Sequence, residues 1–132
     1  MAGSAEGLGA AFCKALAQQG FNLILIDKKK DALKSHVAEM KRSFPVSMHS
    51  VAMDLASQGS HLKIVSLIKD TGCKLIIYNA AYGPIKSFIH NSEDELHYYL
   101  DVNSRTPMLL LHSLINAREG NDPIGFLKIL YN

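Results

Sequence analysis

The stretch Gly3-Ser4-Ala5-Glu6-Gly7-Leu8-Gly9 decides the fold of this chain. Its glycines follow the spacing GxxxGxG, which is typical of the turn where a buried strand passes into a helix and backbone N–H groups approach a pyrophosphate. Only Met1 and Ala2 precede the stretch, so we expect the strand that normally leads into such a loop to be missing. The sequence therefore predicts a phosphate-binding loop without its first strand.

Apolar periodicity after the loop alternates between that of helices and that of buried strands. Helices are predicted at about 6–19, from Leu33 to Phe44 before Pro45, from a cap at Ser57 to about Gly72, and from a capping box of Ser92 and Glu95 to about Asn116, with a bend at Pro107. Strands are predicted at Phe21–Ile26, Val46–Met53, Lys74–Tyr78 and Ile124–Leu130. This alternation predicts an α/β fold, a Rossmann-like doubly wound parallel sheet that is incomplete.

Composition, charge and cysteine spacing indicate a single domain that binds neither nucleic acid nor membrane. The 132 residues fit one domain, 1–132, and the net charge of +2 has no basic stripe suited to nucleic acid. No apolar run is long enough for a membrane span. Cys13 and Cys73 are isolated, which favours reduced thiols and a cytoplasmic location, and the spacing of the histidines predicts no metal site.

Polar residues follow three predicted strands at the point where each strand ends. They are Asp27, Asp54 with Leu55, and Asn79 with Ala80 and Ala81. The carboxyl ends of parallel strands share one edge, where α/β sheets bind ligands, and a carboxylate at the position of Asp27 can accept hydrogen bonds from an adenosine ribose. Purely structural roles for the glycines and for Asp27 remain open alternatives at this point.

Taken together, these motifs resemble the short-chain dehydrogenase/reductase family. The matching residues are Gly3-x-x-x-Gly7-Leu8-Gly9, Asp27, Asp54-Leu55, Asn79-Ala80-Ala81 and Val102-Asn103. The resemblance implies that Gly3, Ser4, Gly7 and Leu8 line the pyrophosphate, that Asp27 holds the adenosine ribose, that Asp54 and Leu55 flank the adenine, and that Asn79 and Ala80 lead towards the nicotinamide ribose. It also implies that Asn103 is the active-site asparagine that helps to maintain a proton-relay water beside the catalytic lysine.

The resemblance implies a cofactor, NAD or NADP, and hydride transfer to or from a small carbonyl or alcohol substrate. Asp27 favours NAD because its carboxylate would repel a ribose 2′-phosphate, although Lys28 and Lys29 could soften that repulsion. Two positions depart from the family pattern. Ala2 stands where threonine is common, and Tyr82 stands where glycine is usual.

The family's serine and its Tyr-x-x-x-Lys pair do not follow the last predicted strand. Tyr82 and Lys86 have that spacing, but Gly83 and Pro84 between them predict a loop. We therefore expect an oxidoreductase fragment that turns over no substrate by itself. The alternative function is a non-catalytic nucleotide-binding module. A methyltransferase is disfavoured by Asn79-Ala80-Ala81 together with Asn103.

Two further hypotheses concern assembly. The predicted long helix 92–116 is the helix through which this family often dimerises, so it suggests a homo-oligomer. The terminal run Ile124–Leu130 either competes for the central position that the missing strand would fill, between the strands of Ile24 and Ile76, or lies outside the strand of Ile76.

Overall fold

The computed structural model describes residues 1–117 and 123–130. Within these residues the strands are β1 (Leu23–Asp27), β2 (Met48–Ala52), β3 (Leu75–Tyr78) and β4 (Gly125–Lys128). The α-helices are α1 (Gly7–Gln18), α2 (Lys30–Ser43), α3 (Ser60–Thr71), α4 (Glu93–Leu100) and α5 (Thr106–Asn116), with a short 3₁₀ turn at Phe88–His90. The predicted alternation of strands and helices is confirmed.

All the paired strands run parallel, in the order β2, β1, Ala2, β3, β4. Ala2 bridges Ile26 of β1 on one side and Tyr78 of β3 on the other, and it is the residue that joins the two strand pairs. The residues leading into the glycine loop therefore form a short piece of central strand.

Helices cover both faces of this sheet, which is the doubly wound arrangement. Leu23 and Leu25 belong to a buried cluster with side chains of α1 and α2, among them Cys13 and Met40. The alternate residue Ile26 belongs to a second cluster with side chains of α3 and α5. Successive strand residues point to opposite faces, so one strand serves both cores and reads as a continuous apolar run.

Of two helix starts predicted from capping residues, one agrees with the structure and one does not. The capping box is confirmed: the Ser92 hydroxyl accepts from Glu95 N–H, and the Glu95 carboxylate accepts from Ser92 N–H. The cap predicted at Ser57 is wrong. Helix α3 begins later, after Gly59 with φ 74°, while the carbonyl of Ser57 accepts from Ser60 N–H within the preceding turn.

The predicted long helix is continuous in path but changes its hydrogen bonding. Residues Asp101–Arg105 form a π-helical turn between α4 and α5, and Pro107 lies in the first turn of α5. A proline offers no N–H to the preceding turn, which favours a break of the regular pattern just before it. The change in hydrogen bonding thus lies just before Pro107, and the bend predicted at Pro107 stays a prediction.

The terminal run does not take the central position, and that hypothesis is wrong. Strand β4 pairs with β3 in the register Leu75↔Gly125 to Tyr78↔Lys128, on the side of β3 away from Ala2. Ala2 already joins β1 and β3 at the level of Ile26 and Tyr78, so β4 lies on the outer side of β3. In the described part of the chain, no helix combines the length and apolarity needed to cross a membrane.

Candidate functional site

A groove of about 260 Å³ lies at the carboxyl edge of the parallel sheet. The ends of β1, β2 and β3 form its floor, as expected for ligand sites in open α/β sheets. It is lined by Gly3, Glu6, Asp27, Lys28, Lys29, Met53, Asp54, Leu55, Asn79, Ala80, Ala81, Tyr82, Tyr98 and Val102.

Two glycines allow the loop and α1 to lie close together. A Cβ on Gly9 would approach the carbonyl oxygen of Gly3 to 1.8 Å, and a Cβ on Gly3, which has φ 74°, would lie 2.6 Å from Ala80 N. The Asn79 side chain donates to the same Gly3 carbonyl at 2.9 Å. The loop is thus held against the residues that follow β3, and larger side chains at either glycine would separate them.

The carboxylate of Asp27 organises the opposite end of the loop. Its Oδ2 accepts from Ala5 N–H at 3.0 Å, and its Oδ1 accepts from Lys29 N–H at 3.0 Å. Ser4 is fully buried and its hydroxyl donates to the carbonyl of Ile26 at 3.2 Å. Ser4 therefore ties the loop to β1, and its side chain is not among those that line the groove.

Gly7 and Leu8 form the start of α1, beside the groove rather than on its lining. Gly7 has φ 56° and no atom within 4 Å of the position that its Cβ would take, while Leu8 is half exposed. The first turn of α1 carries no acidic residue and no side-chain cap. Glu6, Gly7 and Leu8 are exposed, so the positive end of α1 faces solvent, where backbone N–H groups can meet an anion.

Three hydrogen bonds hold Asp54 and Leu55 in place. The Asp54 carboxylate accepts from Ala56 N–H at 3.0 Å, and the carbonyl of Leu55 accepts from the hydroxyls of Ser60 at 2.9 Å and Thr106 at 2.7 Å. Ser60 and Thr106 are themselves buried. These bonds connect the end of β2 to the first turns of α3 and α5.

Lys28 and two tyrosines form the outer wall of the groove. The Lys28 amine donates to the Tyr98 hydroxyl at 2.9 Å, and that hydroxyl donates to Asp54 Oδ1 at 3.0 Å. The rings of Tyr98 and Tyr82 meet edge to face at 4.8 Å, and the Lys28 amine lies over both rings. The hydrogen bond that the Lys28 amine donates to Tyr98 raises the pKa of Lys28, while burial is the main cause that raises the pKa of Tyr98.

Asn103 lies in the π-helical turn and is bound to the backbone of one residue. Its Oδ1 accepts from Tyr82 N–H at 2.9 Å and its Nδ2 donates to the Tyr82 carbonyl at 2.7 Å. One residue earlier, the carbonyl of Val102 accepts from the buried hydroxyl of Tyr78 at 2.7 Å. The contact of Tyr78 joins the π-helical turn to the end of β3, and the contacts of Tyr82 join it to the loop that follows β3.

The structure thus brings together most of the residues that the sequence predicted for the site. Gly3, Asp27, Asp54, Leu55, Asn79, Ala80 and Ala81 line the groove, whereas Ser4, Gly7, Leu8 and Asn103 lie around it. Sequence reasoning missed Tyr98 and the hydroxyls of Ser60 and Thr106. No short motif marks them, but each lies on a helix turn that faces the strand ends.

Tyr82 and Lys86 do not form a catalytic pair. Residues 82–86 adopt no helix, as the Gly83-Pro84 sequence predicted, and the Lys86 amine binds both carboxylate oxygens of Glu95 at 2.7 Å.

The family model described as short chain dehydrogenase matches residues 1–121. The chain belongs to this family. One relative is the very-long-chain 3-oxoacyl-CoA reductase of Candida glabrata, 26% identical over 113 residues that cover 82% of this chain and 32% of the reductase. Another is the human protein named inactive hydroxysteroid dehydrogenase-like protein 1, 25% identical over 87% of this chain and 36% of that protein.

Solved structures agree on the fold. A metagenomic short-chain oxidoreductase in complex with NADP superposes with a TM-score of 0.83 at 21% identity, covering 96% of this chain and 58% of that protein. The short-chain dehydrogenase chain therefore spans about a third of these curated relatives and somewhat over half of this structural relative.

The residues present fit a dinucleotide in part. The uncapped start of α1 and the open space around Gly7 suit a pyrophosphate, and the Asp27 carboxylate in the groove suits the hydroxyls of a ribose. The groove volume of about 260 Å³ lies just below the range of about 300–1,000 Å³ typical for whole ligands. The groove therefore matches the adenosine half of the cofactor better than the whole molecule.

Proposed function

We propose that this chain forms the cofactor-binding part of a nicotinamide-dependent oxidoreductase that acts on a small carbonyl or alcohol substrate. The observation that carries the proposal is the convergence of Gly3, Asp27, Asp54 and Asn79 on one groove at the carboxyl edge of the sheet. When bound, the nicotinamide cofactor supplies or accepts the hydride. The chain's own residues bind and orient it.

We assign a role to each part of the groove. The start of α1 would hold the pyrophosphate, Asp27 the adenosine ribose, and Asp54 with Leu55 the adenine, while Asn79, Ala80 and Ala81 would lead towards the nicotinamide ribose. The rigid hydrogen bonds at Asp27 and Leu55 support these assignments because a site held in advance loses less entropy on binding.

We propose NAD as the preferred cofactor. Asp27 is a fixed carboxylate at the end of β1, and the neighbouring cations are already engaged: Lys28 with Tyr98, and Lys29 with Glu6. A ribose 2′-phosphate would meet that carboxylate while both lysines that line the groove already have partners. The metagenomic relative was solved with NADP, so both cofactors belong in the test.

A second candidate function is nucleotide binding without catalysis. Two observations favour it. Both polar side-chain atoms of Asn103 bind the backbone of Tyr82. Lys86 is bound to Glu95, and residues 82–86 form no helix that would place Lys86 beside Tyr82. We propose that the 132-residue chain by itself binds the cofactor without turnover.

Fluorescence titration of the protein with NADH and with NADPH measures binding and tests the proposal. Ala81 lines the groove and Ala38 is exposed on α2, so Ala81→Phe should weaken binding at least tenfold and Ala38→Phe should change it by less than twofold. If neither dinucleotide saturates the folded protein below millimolar concentration, the proposal is wrong. Reduction of a panel of carbonyl compounds by the chain alone would overturn the proposed lack of turnover.

We also propose a cytoplasmic location, which the free thiols of Cys13 and Cys73 support, and a homo-oligomer through α4 and α5. The support for the oligomer is a set of exposed apolar side chains on these helices: Tyr99, Leu100, Met108, Leu109, Leu111 and Ile115.

A further inference from the structure

A chain of hydrogen-bonded side chains connects the ends of β1 and β2 along the outer wall of the groove at the carboxyl edge of the sheet. The Lys28 amine donates to the Tyr98 hydroxyl at 2.9 Å, and that hydroxyl donates to Asp54 Oδ1 at 3.0 Å. All three residues line the groove. Tyr98 comes from α4, 44 residues beyond Asp54 in the chain, so the fold rather than a local motif brings these groups together.

The Tyr98 hydroxyl fills an acceptor position that a nucleobase also uses. Under the proposed function, Asp54 and Leu55 hold the adenine, whose exocyclic amine is a hydrogen-bond donor. Asp54 Oδ1 already accepts from the Tyr98 hydroxyl and from Ala56 N–H at 3.0 Å, and each carboxylate oxygen has two lone pairs. A base that donates to this oxygen therefore has to replace the Tyr98 hydroxyl.

Two aromatic contacts keep the Tyr98 ring in this position. The Lys28 amine lies 4.7 Å from the centroid of the Tyr98 ring, and the Tyr82 ring meets the same ring edge to face at 4.8 Å. A cation within about 6 Å of an aromatic centroid is attracted to the ring, and so is an aromatic edge. Together with the bond to Asp54, these contacts favour the position of Tyr98 against the end of β2.

The size of the groove agrees with a site that the chain's own side chains partly fill. With Tyr98 against Asp54 the groove measures about 260 Å³, just below the range of about 300–1,000 Å³ typical for whole ligands. Lys28 is exposed, and a hydrogen bond in contact with water stabilises a conformation only weakly. Rotation of the Tyr98 side chain away from Asp54 therefore enlarges the groove and requires little energy.

We propose that Tyr98 gates the adenine end of the groove: a ligand that carries adenosine binds by displacing the Tyr98 hydroxyl from Asp54, while Lys28 stays with Tyr98. Because Asp54 is taken as the adenine site, the gate rests on the proposed function. A lining residue that binds the ligand weakens binding when it is truncated. A gate does the reverse, so loss of the Tyr98 hydroxyl alone should strengthen the binding of ligands that carry adenosine.

The variant Tyr98→Phe tests the gate, since it removes the hydroxyl and keeps the ring. We expect the Kd for NADH to fall about threefold, because the ligand no longer competes with the hydroxyl for Asp54. Reduced nicotinamide mononucleotide, which carries no adenosine, should bind both proteins equally. Fluorescence titration measures both ligands. An unchanged or higher Kd for NADH in Tyr98→Phe would overturn the gate, and so would an equal fall for the mononucleotide.

The control is Tyr99→Phe, which deletes the same atom from the next residue of α4. Tyr99 is 44% exposed and does not line the groove. This variant should leave the Kd for NADH unchanged, and circular dichroism confirms that both variants fold. An equal fall in both variants would attribute the tighter binding to α4 as a whole and would contradict a gate at Tyr98.

A double-mutant cycle separates a gate from a general loosening of the groove. Asp54→Ala removes the acceptor for which the hydroxyl and the base compete, so the further change Tyr98→Phe should then leave the Kd for NADH unchanged. If Tyr98→Phe tightens binding equally without the carboxylate of Asp54, the competition lies elsewhere and the proposal is wrong.

The same titrations, with 5′-AMP added by calorimetry, separate the gate from the proposed function. If the natural protein and both tyrosine variants bind neither NADH nor 5′-AMP, the proposed function is wrong and the gate is wrong with it. If all three proteins bind both ligands with the same Kd, only the gate is overturned.

Discussion

At the scale of single residues, Asp27 tests the cofactor preference. Asp27→Asn keeps an oxygen that can accept from Ala5 N–H and removes the charge that would face a ribose 2′-phosphate. We expect the ratio of the Kd for NADP to the Kd for NAD to fall about tenfold, which corresponds to about 1.4 kcal/mol. Isothermal titration with both cofactors measures this ratio.

The control for this change is Asp31→Asn. Asp31 is exposed in the first turn of α2 and does not line the groove, so the substitution removes the same charge outside the site. The ratio should stay within a factor of two. An equal fall in both variants would show that net charge, rather than the position of Asp27, determines the preference.

His36 gives a residue-scale prediction about pH. It is buried on α2, its Nε2 has no hydrogen-bond partner among the residues that the structure describes, and burial lowers its pKa below 6.5 despite the opposing effect of Glu39. The fold therefore favours neutral His36, so its contribution to stability is complete above pH 6.5 and is lost as the pH falls through the lower folded-state pKa. Urea unfolding at pH 7.5 and 5.5 should show a larger loss in the natural protein than in His36→Leu.

His90 provides the comparison because it is exposed at the end of the 3₁₀ turn. His90→Leu should keep the pH dependence of the natural protein. If His36→Leu keeps it as well, other titrating groups cause the acid sensitivity and the prediction is wrong.

At the scale of elements, the sequence predicted helices most reliably where a pattern of neighbouring residues determines the conformation. The apolar spacing of Leu33, Val37 and Met40 predicted α2, and Ser92 with Glu95 predicted the start of α4, because these patterns depend on near neighbours alone. The predicted start of α3 was wrong. Ser57 is the residue type that more often caps a helix with its side chain, but the N-cap residue of α3 is Gly59, in a left-handed conformation.

Non-local contacts explain what the sequence could not predict at this scale. The π-helical turn is held by Tyr78 from β3, and the wall of the groove by Lys28 and Tyr98, which lie far apart in the chain. Half of the residues that line the groove were predicted, because the ends of the strands in a parallel sheet share one edge however the helices pack. Tyr98, whose position depends on how α4 packs, was not.

The capping box at Ser92 supplies an element-scale prediction. Ser92→Ala removes the hydroxyl that accepts from Glu95 N–H, which should cost about 1 kcal/mol of unfolding free energy. Ser87→Ala is the matched control, since Ser87 precedes the 3₁₀ turn without a side-chain cap, and it should cost less than about 0.5 kcal/mol. Urea denaturation measures both values, and equal costs would contradict a capping role.

At the scale of the whole molecule, the two apolar clusters meet across one sheet, and each depends on strands that also serve the other. The central position of this sheet is occupied near its carboxyl end by Ala2, which bridges Ile26 and Tyr78. Sequence periodicity predicts the strands themselves, but their order depends on pairings between distant residues, which is why the position of β4 had to come from the structure.

The exposed apolar side chains of α5 lead to a prediction about assembly. Met108 is 69% exposed and Ile115 58% exposed, although the helix is anchored by the fully buried Leu110. If this face joins two copies, Met108→Glu should raise the dimer dissociation constant at least tenfold, because it places a charge in an apolar contact. Light scattering across a concentration series measures the constant.

Leu62→Glu, at a position of α3 that is 58% exposed, is the control and should leave the dissociation constant within twofold. A monomer at every concentration, or equal weakening by both variants, would show that this face is not the interface, and the apolar residues of α5 would then need another partner.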